Sequence, residues 1–302
     1  MRALVISGGG SKGAFAGGVA EYLIDVAQHD YKLFVGSSTG SLLISQLALG
    51  NTQKVKQIYT NVCQSDIFSL NPFIKRKEGD REFVTINYLN TVIQFIKRKR
   101  TFGESKNLRK TICKNFSKSE FEQARCCGKD VVVTVSNLTK NKVEYKSIQD
   151  FDYQDFVDWI WMSSNLVPFM SLASKNGSDY ADGGFGSMVP IREAVRRGAT
   201  EIDAIILEAE NMEHNKVLGK NPFSLLMNLF GFMLDQVEKH DVREGKLASI
   251  QRQVKLNLYY TPIQLTENSL IFNQQLMTQW WQDGFEYAKN KTADNKVVFD
   301  DD

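Results

Sequence analysis

Histidine is scarce in this chain, which has only His29, His214 and His240, and cysteine is nearly as rare, with Cys63, Cys113, Cys126 and Cys127. None of the cysteines forms a C-x-x-C pair. A tetrahedral zinc site needs four such ligands, most of them closely spaced, so no metal is expected. Reduced thiols are expected instead, which fits a cytoplasmic chain. Five prolines in 302 residues leave no Pro-rich linker and no long disordered arm. No stretch reaches the roughly 18 consecutive apolar residues that a membrane span requires. The apolar run Ala3–Ile6 is too short for the core of a secretion signal. The net charge is only +2, and no pattern interleaves aromatic with basic residues, so nucleic acid is not an expected partner.

What is present is an ordinary globular composition, 42% hydrophobic and 24% charged, long enough to bury a substantial core. No internal repeat or linker divides it, and one domain over residues 1–302 is expected. The opening is the most regular part. Ala3–Ile6 reads as a buried strand, and Gly8–Gly13 as a glycine turn. Phe15, Val19, Leu23 and Val26 then recur at helical spacing. Tyr31–Val35 is a second strand, Gly36–Gly40 a tight turn, and Leu42–Leu49 a helix. Strand, helix, strand, helix predicts an α/β chain with a mostly parallel sheet.

Further on, Asn51–Ser119 reads as helices and loops, with basic clusters at Lys75–Lys77 and Lys97–Arg100. Asp130–Val135 and Lys142–Lys146 read as the strands of a hairpin. Phe156–Met162 is an apolar helix, Ser171–Gly186 a loop, Pro190–Arg197 a helix and Ile202–Leu207 a buried strand. A helix from Asn221–Pro222 to about His240, a strand at Val254–Tyr260 and a helix at Gln274–Lys289 complete the chain.

Gly8, Gly10 and Gly13 match G-x-G-x-x-G between a strand and a helix, which is the setting of a dinucleotide-binding turn. That reading needs an acidic residue at the end of the second strand to hold a ribose, and the strand ends in Val35-Gly36-Ser37-Ser38. A phosphate-binding loop of the G-K-[ST] type also fails, because Lys12 is followed by Gly13. The other use of such a turn is to aim unpaired backbone N–H groups and the positive end of a helix at a developing anion. A plain strand-to-helix turn is the bland alternative.

Gly36-Ser37-Ser38-Thr39-Gly40 is a G-x-S-x-G pentapeptide between an apolar strand and an apolar helix. In that setting the central serine sits on a sharp turn with its hydroxyl exposed at the sheet edge. The bland alternative is a Ser/Gly loop that caps the helix. As a nucleophile, Ser38 needs a proton acceptor. His29 precedes the second strand and lies at the wrong end to meet it. His214 and His240 sit among polar residues. A Ser–Asp–His order that uses His240 is the best rival arrangement. Asp182, in Asp182-Gly183-Gly184, offers a carboxylate that can act as a base directly when it is held close and shielded. Its bland alternative is an ordinary Asp-Gly turn.

Together, Gly8-Gly9-Gly10-Ser11-Lys12-Gly13, Gly36-Ser37-Ser38-Thr39-Gly40 and Asp182-Gly183-Gly184 give a chain that resembles the patatin-like phospholipases. Weaker echoes are Ser163-Ser164-Asn165 with Pro168 and Phe169, and Pro190, Ala194, Gly198 and Ala199. The likeness covers about residues 2–207. It implies a three-layer α/β/α sandwich and a Ser38–Asp182 dyad with no histidine and no cofactor. It also implies an oxyanion hole from Gly8, Gly9 and Gly10, and hydrolysis of acyl esters in phospholipids or related lipids. Lys12 stands where the family usually has Arg, and keeps the charge without the planar fork. The related acyl-carrier-protein acyltransferases follow the nucleophile with His, where this chain has Thr39. A nucleotide-binding α/β protein and a catalytically silent lipid-binding relative are the alternative readings.

Phe223, Leu226, Leu229, Phe230, Phe232, Met233 and Leu234 make a helix that is apolar nearly all round. Such a helix is usually core, and the sharper reading is a lid that meets lipid. Peripheral contact with a membrane, aided by Lys97–Arg100, is a further expectation.

Overall fold

The structure, a computed structural model, describes residues 1–78, 81–210, 222–266 and 268–297. In chain order the strands are β1 (Arg2–Ile6), β2 (Tyr31–Ser37), β3 (Phe73–Glu78), β4 (Arg81–Ile86) and β5 (Asp130–Asn137). They continue with β6 (Lys142–Ser147), β7 (Ala173–Lys175), β8 (Ser178–Asp182), β9 (Glu201–Ala209) and β10 (Lys255–Thr261). The helices are α1 (Gly13–Glu21), α2 (Thr39–Ala48), α3 (Thr52–Asn61), α4 (Gln64–Ile67), α5 (Tyr88–Ile96) and α6 (Lys106–Asn115). They continue with α7 (Lys118–Cys126), α8 (Tyr153–Ser163), α9 (Ile191–Arg196), α10 (Pro222–Arg252) and α11 (Gln274–Val297).

Eight strands form one sheet in the order β10-β9-β1-β2-β5-β8-β7, with β6 also paired to β5, and β3 and β4 form a separate hairpin. The pairs from β10 to β5 are parallel, and β6, β7 and β8 join antiparallel. A parallel strand must be covered on both faces, and β1 shows this directly. Leu4 and Ile6 enter one hydrophobic cluster with Phe15, Leu43, Phe156 and Trp281 of α1, α2, α8 and α11. Ala3 and Val5 enter the other, with Ile191 and Ala194 of α9 and Val242 of α10. The result is the expected α/β/α sandwich.

α11 closes the larger cluster by lying on α1. A side chain at Gly17 would come within 2.1 Å of the Trp281 ring, so the two helices approach as closely as they do because Gly17 has none. The Trp281 indole N–H donates to the Glu21 carboxylate below it.

The sheet positions the site through an unusual sharing of one strand edge. β2 pairs with the first half of β5, from Leu33↔Asp130 to Ser37↔Thr134. β8 takes over at the next residue, with Val135↔Asp182, Ser136↔Ala181 and Asn137↔Tyr180. The C-terminal ends of β2 and β8 therefore abut.

Several expectations are corrected. Asn51–Ser119 contains the β3–β4 hairpin, whose strand-forming Phe73, Ile74, Phe83 and Val84 are interrupted in sequence by charge. Ser171–Gly186 is not a loop, because it holds β7 and β8 around Asn176-Gly177. Both turn residues have positive φ, 51° and 74°, as a tight hairpin turn requires. The helix expected to end near His240 runs on to Arg252. Between the core and lid readings of this stretch the structure divides the residues: Phe230 packs on the larger cluster, Leu229, Phe232 and Met233 are exposed, and Leu234 faces a cavity. The Phe223 and Leu226 side chains lie outside the described residues, as does His214.

Candidate active site

β2 turns into α2 at Ser38, whose backbone is held at φ 52°, ψ −120°. A side chain other than glycine is strained there, and such strain persists only where the surroundings hold it. Here the Ser38 N–H donates to Ser163 Oγ at 3.0 Å. The Ser164 hydroxyl donates to the Ser38 carbonyl at 3.1 Å, and Ser41 N–H donates to the same carbonyl at 2.9 Å. Gly40 is obligatory for a different reason. A Cβ there would sit 2.2 Å from the Ile6 carbonyl oxygen, so α2 could not start so close to β1.

Asp182 ends β8 with only 2% exposure. Its N–H donates to the Asn165 carbonyl at 2.9 Å. Its carboxylate accepts from Ser38 Oγ at 2.6 Å and from Gly184 N–H at 2.8 Å. Burial dominates its titration and pushes it up to about 7, against the pull of the Ser38 and Gly184 hydrogen bonds. A carboxyl poised near neutrality and bonded to a serine hydroxyl is equipped to take and return that proton. Gly183 packs on the Thr134 carbonyl, and its own carbonyl accepts from Gly186 and Ser187 N–H.

The glycine turn lies directly against the serine. A Cβ on Gly8 would come 3.1 Å from Ser38 Cβ, and one on Gly13 would come 2.5 Å from Thr39 Oγ1. The Gly8 N–H is already engaged, donating to the Met188 carbonyl at 3.1 Å. Ser11 N–H donates to Ser269 at 2.8 Å and Lys12 N–H to Gly9 at 3.1 Å. Among the described residues, no acceptor outside their own turn engages Gly9 or Gly10 N–H. The Lys12 side chain is buried and paired with the Glu208 carboxylate.

These groups floor an open cavity. Leu42, Ile67, Leu108, Leu166, Met170 and Phe272 form apolar walls. Leu42, Ile67, Leu108 and Phe272 also line an adjoining, mostly apolar pocket between α2, α3 and α6. Glu208, Asp235 and Glu238 also line the open cavity. Burial, with the Glu208 charge nearby and Lys12 opposing, pushes the Glu238 carboxyl up to about 8. Sequence reasoning missed Met188, Glu208, Glu238 and Ser269, which come from distant segments with no local motif.

The rival bases are elsewhere. His29 Nδ1 lies 3.2 Å from both Tyr31 OH and Asp203, at the start of β2, while Ser38 is at its end. His240 is exposed on α10. The four cysteines are free. No helix among the described residues is long and apolar enough to cross a membrane.

A family model described as patatin-like phospholipase matches residues 4–195. Among solved structures, the crystal structure of VipD from Legionella pneumophila is similar, with a TM-score of 0.53 at 13% sequence identity. The alignment covers 96% of this chain and 66% of that one, a likeness of fold. Among curated proteins, none matches the sequence.

Proposed function

Because the chain belongs to the patatin-like phospholipase family, we propose that it is a serine hydrolase of acyl esters in phospholipids or related lipids, working through a Ser38–Asp182 dyad. The observation that carries this reading is the 2.6 Å hydrogen bond from Ser38 Oγ to Asp182, on the floor of a cavity with apolar walls.

Ser38 Oγ attacks the ester carbonyl carbon while its proton passes to Asp182. The carbonyl oxygen becomes an oxyanion against the N–H groups of Gly9 and Gly10, while Gly8, committed to Met188, holds the loop in place. Collapse of this intermediate breaks the ester C–O bond, and the departing alcohol recovers the proton from Asp182. An acyl-Ser38 ester remains. Water attacks it, giving its proton to Asp182, and the second collapse releases the fatty acid and returns the proton to Ser38.

The apolar walls at Leu42 and Phe272, shared with the adjoining pocket, are the surface that would receive an acyl chain. Substrates of this kind reside in membranes, so peripheral contact with a lipid surface belongs to the same reading. The dinucleotide alternative is disfavoured: β2 ends in Ser37 with no acid for a ribose, and Lys12 is buried against Glu208. A silent relative is disfavoured because no motif residue is lost. The deciding experiment incubates the protein with mixed lipids and identifies released fatty acids by mass spectrometry. Release by the parent and none by Ser38→Ala supports the reading, and equal release by both overturns it.

A further inference from the structure

α5 is inside out for a helix on the surface of a globular protein. Leu89, Val92, Ile93 and Ile96 are spaced i, i+3, i+4, i+7, so they form one stripe along the helix. In water that stripe should face the core. Instead Leu89 is 78% and Ile96 76% exposed, with Val92 and Ile93 also open. The opposite face, turned inward, carries Thr91 and Gln94, and Gln94 is only 2% exposed. Four outward aliphatic side chains on one stripe need an apolar phase to cover them.

A second stripe lies beside the catalytic cavity. On α10, Leu225, Leu229, Phe232 and Met233 follow i, i+4, i+7, i+8 and are exposed. Gly231, Leu234 and Asp235 of the same turns line the cavity that holds Ser38. A chain of aromatic contacts joins the two helices: Phe95 to Phe102 at 6.3 Å, Phe102 to Phe169 at 5.9 Å, and Phe169 to Phe230 at 5.9 Å. This chain passes through Phe169, next to Met170 of the cavity wall, so the two helices are linked beside the cavity.

Charge selects the occupant. α5 runs into Lys97-Arg98-Lys99-Arg100. Lys99 and Arg100 pair with Glu104 and Asp179. Lys97 and Arg98 are exposed and pair with no carboxylate among the described residues. A second copy docked with this patch on its two-fold axis would bring the basic patch against itself. An anionic lipid surface offers negative headgroups above an apolar layer, which complements both features.

We propose that α5, Lys97–Arg98 and the exposed stripe of α10 form the surface by which this protein docks on anionic lipid membranes. The proposal rests on the reading of the chain as a lipid hydrolase. It names the face presented to the substrate phase.

The test is co-sedimentation of the Ser38→Ala protein with phosphatidylcholine vesicles, with and without phosphatidylserine. Binding is expected to be stronger to vesicles that contain phosphatidylserine. Leu89→Gln with Ile96→Gln, both on an exposed face, is expected to weaken binding about tenfold or more. Lys97→Glu with Arg98→Glu is expected to weaken it about fivefold or more per reversed charge, and to remove the dependence on phosphatidylserine. The proposal is overturned if neither vesicle binds, or if the variants bind as the parent does. It is equally overturned if the protein sediments as a dimer that Leu89→Gln with Ile96→Gln dissociates, because a second copy is then the occupant. Hydrolysis of soluble p-nitrophenyl butyrate by the protein with Ser38 intact, measured separately, distinguishes the two readings. Turnover without vesicle binding removes the docking surface and leaves the dyad, and binding without turnover does the reverse.

Discussion

Ser37 and Asp182 stand end to end along one edge of β5, Ser37 opposite Thr134 and Asp182 opposite Val135. This register places the residue after Ser37 beside the Asp182 carboxylate. The serine arrives on a parallel strand and the aspartate on an antiparallel one, so both chain directions point their C-terminal ends at the same spot. A slip by one residue in either pairing would turn the side chains to the other face and separate the two groups.

Activity against p-nitrophenyl butyrate is expected to rise about tenfold per pH unit below neutrality and to level off above about pH 7, as Asp182 ionises. Stability should run the other way. The unfolded carboxyl ionises from about pH 4, whereas the folded one holds its proton to about 7. Between those values folding opposes proton release, so stability falls as pH rises, by roughly 4 kcal/mol at most. Asp182→Asn is therefore expected to lose nearly all turnover and yet to resist urea better than the parent at about pH 8. If its urea midpoint drops there, burial is not what raises this group. Single His→Ala variants at His29, His214 and His240 should retain turnover within a few-fold. A folded His240→Ala or His214→Ala as inactive as Ser38→Ala would replace the dyad with a triad.

Ser38→Ala is expected to reduce kcat by on the order of 10⁴-fold or more. The parent should be labelled at Ser38 by a fluorophosphonate. Peptide mapping that places the adduct on another serine would move the nucleophile. The strained backbone at φ 52° adds a further expectation. Ser38→Gly, equally inactive, should be more stable than Ser38→Ala by about 1 kcal/mol in urea unfolding, because glycine adopts that conformation more freely.

Asp203 is expected to govern acid stability. Burial alone would push its carboxyl up, but hydrogen bonds from His29, Arg2 and Tyr31, and the Arg2 charge, hold it at about 2. Arg2 Nε donates at 2.8 Å, Tyr31 OH at 2.6 Å and Asn257 Nδ2 at 2.7 Å. Its stabilising contribution is present above about pH 4, the unfolded value, and is lost as pH falls toward 2. Asp203→Asn should cost about 2–3 kcal/mol at neutral pH, because Arg2 and Tyr31 lose their ionised partner while Arg2 keeps Glu201. It should also flatten the decline in urea midpoint between those pH values. A variant with the parent's acid profile would show that another carboxylate is responsible.

Trp281→Ala is expected to cost about 3–5 kcal/mol, the usual range for emptying a buried aromatic site. The ring is fully buried against Gly17 and bonded to Glu21. Thermal unfolding followed by circular dichroism would read the loss. A shift of less than about 1 kcal/mol would mean that α11 is not part of the cooperative unit.

Two parts of the candidate site are legible in the sequence because they are local. Gly8–Gly13 and Gly36–Gly40 each carry their turn chemistry in a few consecutive residues. Asp182 is legible as a possible base from its Asp-Gly-Gly setting and from the resemblance, but not as the end of a strand. The signal passed over was Asn176-Gly177, which forms a two-residue hairpin turn and makes β8 a strand. The β3–β4 hairpin was hidden because Lys75–Glu82 interrupt its apolar positions with charge. Nothing local could have revealed Glu208 beside Lys12 or Met188 beside Gly8, since those pairings depend on how β9 and the segment after β8 return to β1. The outward stripe of α5 was also beyond sequence reasoning: a period of 3.6 shows that a helix has two faces, not which one meets water.

The long-range ties of the glycine turn set the order in which the protein can become active during its synthesis. β1 lies between β2 and β9, and β9 begins only at Glu201. Gly8 is fixed by Met188 and Ser11 by Ser269, so the loop facing Ser38 is completed by residues translated much later than itself. A nascent chain in which Ser38 has left the ribosome still lacks Asp182, the loop anchors and the second neighbour of β1. Ribosome-bound chains arrested before Ser269 should therefore not react with a fluorophosphonate, and those arrested well beyond it should. On this timing, the proposed ester cleavage cannot begin until Ser269 has been translated and has folded onto the glycine turn.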